Sequence, residues 1–253
     1  MSTSGFKMSR AAKLDVALIA ATRFQAPEDV DWSTDAEGPE ALIEFAGRAC
    51  YETFDKPNPR TATNAAYVRH IMEVGHAALF EHATATMYIR GISRAATHEF
   101  LRHRHFSFSQ LSQRFTHDEP TVVLPPAIAE DEELSRLMLN AAQDLAFIHD
   151  DLLGALEEKL GTNPLATRQA RQAARYVLPA ATESRMVVTG NYRTWRHFIA
   201  ARATEHADVE LRTLAIECLR LLRVEAPTAF GDFDISTLAD GTEMATSPYV
   251  AEF

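Results

Sequence analysis

Residues 130–164 read EDEELSRLMLNAAQDLAFIHDDLLGALEEKLGTNP. Apolar residues recur there at helical spacing, which predicts one long amphipathic helix from about Glu130 to Leu160, stopped at Gly161. Asn163 and Pro164 form an N-cap and first-turn pair for the next helix, which ends before Pro179. Working outward, further helices are expected over 38–50, over 63–74 before Gly75, and over 92–103. A last helical region over 192–224 is capped by Asn191 and broken near Ala207. Strands are expected over 14–20, over the alternating stretch Thr84 to Ile89, over Val122 to Leu124, and over Arg185 to Thr189. The acidic, Thr-rich tail after Gly231 carries little pattern. Long helices with a few scattered strands indicate an α+β fold, a small antiparallel or mixed sheet with several long helices. No repeat or linker interrupts the chain, so residues 1–253 are expected to form a single domain.

The chain has 253 residues, of which 46% are hydrophobic, enough for a packed core. Its early apolar stretch, Val16 to Ala21, is too short to span a membrane and makes a poor leader segment. A cytoplasmic protein with no membrane partner is expected. Two cysteines, Cys50 and Cys218, give neither a disulfide framework nor a metal-binding spacing, and both are expected to pack.

The formal net charge is −10, which argues against a general nucleic-acid binder. Charge distribution is more informative. Of the 25 basic residues only Lys7, Lys13, Lys56 and Lys159 are lysine. Residues 90–114 hold five arginines and one acid, Glu99, and residues 164–202 hold seven arginines and one acid, Glu183. Two arginine-rich, acid-poor stretches in an acidic chain indicate a cationic pocket for small anions. Arginine suits this because its planar fork gives phosphate two parallel hydrogen bonds.

No Walker loop or G-x-G-x-x-G turn is present, so phosphate must be held by side chains or helix N-termini. Arg168, Arg171 and Arg175 share one helical face, as an exposed basic face or as a ligand site. Trp195, Ile199, Arg202 and His206 share another. There Arg202 needs either a carboxylate or a bound anion. His98 and His103 are spaced five apart, which turns them away from each other on a helix and argues against a metal site. The densest run is Arg102-His103-Arg104-His105-Phe106-Ser107-Phe108-Ser109-Gln110-Leu111-Ser112-Gln113-Arg114. As composition it suits a phosphorylated heterocycle, or single-stranded RNA stacked on its phenylalanines.

Arg102-His103-Arg104, seven residues and then Ser112 resemble the RHR-x7-S signature of the flavin-dependent thymidylate synthases. Three further blocks resemble the same family in its order: Gly75 to His82, Arg171 to Pro179, and Asn191-Tyr192-Arg193 through Arg202 to His206. The resemblance covers about residues 40–225. It implies FAD as cofactor, with NADPH and methylenetetrahydrofolate as co-substrates, dUMP as substrate, and a homotetramer with shared active sites. By position it implies FAD contacts at His76, Ala78, Glu81, Arg102, His103, Arg104, Gln110, Asn191, Tyr192, Arg193, His197 and His206. It implies dUMP contacts at Glu99, Phe100, Leu101, Arg102, Gln110, Leu111, Ser112, Gln113, Arg114, Arg175 and Arg202.

Arg202 matches the family's catalytic, ring-activating arginine, and no metal is implied. Three positions depart from the common pattern: Ala78 stands where a serine or threonine is frequent, Gln110 where some members have glutamate, and Phe115 where tyrosine is common. C5 of uracil is a weak nucleophile, and neither cysteine has an activating context, so the charge of Arg202 would take the place of a thiolate. Ser112 lacks a histidine–carboxylate relay and is read as a binding residue. The competing classes are a non-catalytic RNA- or nucleotide-binding protein, told apart by the absence of a flavin spectrum, and a flavin enzyme acting on nucleic acid, told apart by its failure to use free dUMP.

Overall fold

The computed structural model describes residues 9–115, 121–161 and 163–250. In chain order the elements are β1 (Arg10–Ala11), β2 (Asp15–Ala21), α1 (Gly38–Ala49), α2 (Asn64–Glu73), β3 (Thr84–Ser93), α3 (Arg94–Phe100), β4 (Ser107–Gln110), β5 (Thr121–Val122), α4 (Pro126–Ala129) and α5 (Glu132–Leu160). There follow α6 (Pro164–Ala174), β6 (Glu183–Asn191), α7 (Tyr192–Arg202), α8 (Val209–Glu225), α9 (Pro227–Phe230), β7 (Asp234–Thr237) and β8 (Glu243–Thr246). A four-stranded sheet has the order β2-β3-β6-β4. The pair β1–β5 is parallel and the pair β7–β8 antiparallel, so the fold is the expected α+β mixture of helices and small sheets.

Two compact units divide the described residues. One holds 9–15, 89–100, 109–115, 121–161 and 163–186; the other holds 16–88, 101–108 and 187–250. The first unit is dominated by the helix that the sequence announced. Asp131 caps α5 by accepting from the N–H groups of Glu133 and Leu134. The helix stops at Gly161, whose φ of +92° is left-handed backbone that costs a glycine little. Asn163 then accepts from Leu165 and Ala166 at the start of α6, whose buried face is Ala166, Ala170 and Ala174.

The second unit has its core on α7 and α8. Trp195, Phe198 and Ile199 from α7 and Leu211, Leu214, Cys218 and Leu222 from α8 are all fully buried. Asn191 caps α7 by accepting from the N–H of Thr194. The Trp195 indole donates to the carbonyl of Ala85, and the N–H of Tyr192 donates to that of Ala83. These bonds tie α7 to the start of β3.

Several boundaries differ from the sequence expectations. The 92–103 helix shrinks to Arg94–Phe100, because β3 continues through Ser93 and the chain leaves helical geometry before Arg102. His98 and His103 therefore do not share a helix at all. The break near Ala207 is a loop, and α7 ends at Arg202, so His206 lies beyond the helix in an exposed segment. The tail forms the hairpin β7–β8, and Ser107–Gln110 forms an unexpected strand. Cys218 is buried as expected. Cys50 is not packed; it is exposed at the C-terminal cap of α1.

One glycine matters for the site. A Cβ at Gly190 would lie 2.4 Å from the ring of Phe106. Phe106 in turn packs 4.5 Å from Trp195 and 5.8 Å from Phe198, centroid to centroid. Gly190→Ala should displace that ring and lower unfolding free energy by about 1–3 kcal/mol, as overpacked cores do. Urea unfolding measures it, and an unchanged midpoint would contradict the packing described.

Candidate active site

In the second unit, the turn that carries Arg102, His103 and Arg104 follows α3 and is held at its far end by Phe106. The N–H of Phe106 donates to the carbonyl of His103 at 3.2 Å. With the Phe106 ring seated on Gly190, the His103 ring comes to rest edge-on to Phe198, 5.2 Å away. There Nε of Arg202 donates to Nε2 of His103 at 3.0 Å. Only a neutral imidazole has a ring nitrogen free to accept this bond. Burial, then the charge of Arg202, then His197 push the His103 pKa down to about 4, so the acceptor form prevails at neutral pH. Arg202 is half-buried at the last turn of α7. The guanidinium is thereby oriented by an uncharged partner at this contact.

The start of α7 borders a cavity of about 560 Å³ lined by Glu81, His105, Asn191, Arg193, His197 and other residues. Arg193 donates to a carboxylate oxygen of Glu81 at 2.5 Å, so two residues from separate motifs meet at the cavity wall. His197 is shifted below the usual histidine range, first by burial and then by the charges of His105 and Arg193. His76 caps the short 3-10 turn Ala77–Glu81, and both His76 and Ala78 are exposed. Arg102, Arg104 and His206 are exposed as well. Tyr192 is different: its ring is fully buried 5.0 Å from Phe230, so its side chain belongs to the core and faces no ligand.

A cavity lined by a helix start with Arg193 and His105 and by apolar residues such as Ile71, Met72 and Phe80 fits a cofactor that joins phosphates to flat rings. The residues present therefore fit FAD. His105, Thr194 and Arg196 also line it and were not singled out from the sequence. Arg196 is engaged structurally, in a buried pair with Asp232 at 2.6 Å.

In the first unit, Gln110 sits on β4 with its amide nitrogen 3.1 Å from the Thr97 hydroxyl and 2.9 Å from that of Ser184. The N–H of Leu111 donates to the carbonyl of Arg185, and Ser112 and Gln113 follow, half-buried. Arg114 is exposed over the ring of Phe115. Glu99 is half-buried on α3 and Leu101, in the other unit, is exposed, whereas Phe100 is fully buried and serves packing.

Arg175 opens a 3-10 turn after α6, close enough to Arg94 that its charge, after burial, lowers the Arg94 pKa. Among the described residues neither guanidinium is paired with a carboxylate. Two half-buried arginines that repel each other are suited to a shared dianion. Arg94 lay inside the arginine-rich stretch but its partner could not be read from spacing. Arg171, by contrast, donates to the carbonyl of Phe115, and Arg168 points to solvent.

Comparison with known proteins follows the same line. The family model described as thymidylate synthase complementing protein matches residues 33–228. A protein of Corynebacterium glutamicum named flavin-dependent thymidylate synthase is 68% identical, over 97% of this chain and 100% of its own. One of the same name from Mycobacteroides abscessus is 61% identical with the same coverage. The fold is shared with the crystal structure of a UMP/dUMP methylase from Streptomyces cacaoi bound with 5-Br dUMP, at a TM-score of 0.69 and 18% identity, over 88% of this chain and 95% of that one. It is shared also with thymidylate synthase X of Helicobacter pylori with FAD and dUMP, at 0.60 and 19%, over 87% and 98%.

A neutral His103 makes a direct prediction. Its imidazole resonances in a pH titration by NMR should move near pH 4 rather than near 6.5. The sign for stability follows: the unfolded chain takes up a proton near 6.5 that the folded chain refuses. This contribution is whole above pH 6.5 and is lost as pH falls toward about 4. A transition near 6.5 in the folded protein would contradict the contact.

Proposed function

Since the chain belongs to the thymidylate synthase complementing protein family, whose relatives here are named flavin-dependent thymidylate synthases, we propose that it methylates dUMP to dTMP with methylenetetrahydrofolate as carbon donor and NADPH as reductant. The observation that carries the chemistry is the Arg202 guanidinium held by a neutral imidazole. Its charge is preorganised for the uracil edge, where it stabilises the anion left by loss of the N3 proton and so raises electron density at C5. Neither thiol supports the alternative. Burial pushes the Cys218 thiol far up, and Cys50 is exposed at a helix end remote in sequence from every motif.

FAD, when bound, supplies the two-electron reduction of the transferred carbon. The residues of this chain position and polarise. Arg102, His103, Arg104, Asn191, Arg193 and His197 hold the flavin, with His76, Ala78, Glu81 and His206 completing its site. Ala78 lacks the hydroxyl frequent in the family, so a main-chain N–H serves in its place. Tyr192 and Phe100 contribute through the main chain only, since both side chains are buried. For dUMP, Arg175 with Arg94 takes the phosphate, while Glu99, Leu101, Gln110, Leu111, Ser112, Gln113 and Arg114 frame the nucleotide. Ser112 binds and does not attack.

The family's homotetramer with shared active sites is supported by α5. Of its 29 residues only Ala142 is buried, and Leu134, Leu137, Ile148 and Leu152 lie exposed along one face. An apolar stripe of that length fits a second copy of the chain.

Release of the C5 hydrogen of dUMP tests the proposal, followed with and without NADPH. Wild type should release it with dTMP formation. Arg202→Ala should lower the rate by about 10²–10³-fold, the usual loss for one preorganised charge donor, with FAD still bound. Near-normal release in the variant removes the role given to Arg202; no release by wild type removes the activity.

A further inference from the structure

The cavity at the start of α7 has a wall that none of the family motifs supplies. Tyr249 and Val250 line it beside Ile71, Met72 and Phe80, and both lie outside the residues 33–228 matched by the family model. The tail reaches this place by a series of fixed contacts. In β8 the N–H of Ala245 donates to the carbonyl of Ala203, the residue after α7, at 2.8 Å. The Ser247 hydroxyl donates to the Asp232 carboxylate, and the N–H of Tyr249 donates back to that hydroxyl oxygen at 3.1 Å. Asp232 is itself clamped by both terminal nitrogens of Arg196, at 2.6 and 2.7 Å. Arg196 lies over the rings of Phe80 and Phe233, at 5.3 and 5.0 Å. Tyr249 is therefore registered to α7 through a buried ion pair. The residue stays 37% exposed, which leaves surface for a ligand.

We propose that Tyr249 is a flavin-binding residue, whose ring forms the tail-side wall of a pocket for the adenine of FAD. The choice of adenine rests on the role given above to Arg202. The α7 residues that line the cavity, from Arg193 to His197, belong to the first turns of the helix. Arg202 is five residues beyond His197 and nine beyond Arg193, roughly 7 to 13 Å along the axis at 1.5 Å per residue. The redox-active ring must adjoin the pyrimidine that Arg202 polarises, so the part of the cavity at the first turn of α7, farthest from Arg202, takes the other half of the cofactor. Its lining agrees. Arg193 and the start of α7 suit a pyrophosphate, and Ile71, Met72, Phe80 and Tyr249 offer apolar and aromatic surface to a flat base.

The test uses the full-length chain freed of flavin and titrated with FAD by flavin fluorescence, then with ADP as competitor. Tyr249→Ala and Tyr249→Leu should each weaken FAD and ADP by roughly ten-fold, the scale of one lost base–aromatic stack, while Tyr249→Phe keeps both. The melting temperature of each apoprotein identifies a variant that fails through folding, in which case the leucine and phenylalanine variants decide. Unchanged ADP affinity in both ring-deleted variants, or an ADP that does not displace FAD from wild type, overturns the assignment. The dUMP reading fails differently, through absence of C5 hydrogen release by the wild-type holoenzyme.

Discussion

The seat of Phe106 on Gly190 is the constraint from which the flavin-side site follows. Any side chain at residue 190 would have to displace the ring, because its first carbon would meet it at 2.4 Å. The ring is closed in further by Trp195 and Phe198. Close-packed aromatic surfaces permit little sliding, so the turn from Arg102 to His105 is fixed relative to α7. From that registration comes the 3.0 Å bond between Arg202 and His103, and from the burial it imposes comes the neutral state of the imidazole. Sequence, packing, protonation and charge placement form one chain of cause.

The Arg202 guanidinium is oriented by an uncharged partner rather than by the imidazolium form of His103. Such an arrangement is suited to a charge that develops on a substrate. The cysteines have no comparable setting, one being sealed in the α8 core and the other open to solvent at a helix end. Arg94 and Arg175 form a second cationic pair in the first unit, neither joined to a carboxylate among the described residues, an arrangement that favours a doubly charged group.

Much of this was legible in the sequence, for identifiable reasons. Capping chemistry announced α6 and α7, since Asn163 and Asn191 each accept from the first free N–H groups of their helices, and apolar periodicity ending at Gly161 announced α5. Alternation revealed β3, and the β-like composition of Arg185 to Thr189 revealed β6. What escaped depends on long-range partners. Ser107–Gln110 is a strand because of its place at the edge of the sheet, not because of its composition. The 92–103 helix was overlong because β3 claims its first residues. Of the site, the four motif blocks located the arginines and histidines. They could not tell that Tyr192 and Phe100 turn into the core, that Arg94 neighbours Arg175, or that the tail brings Tyr249 to the cavity. Each of those is a contact between residues far apart in the chain.

The central claim is that a fixed positive charge makes the uracil ring reactive by easing loss of its N3 proton. The most direct measurement is the pH titration of N3 in bound dUMP labelled with nitrogen-15, in wild type and in Arg202→Ala. The account predicts that N3 loses its proton at clearly lower pH in the wild-type complex than in the variant. The same titration in both would contradict it.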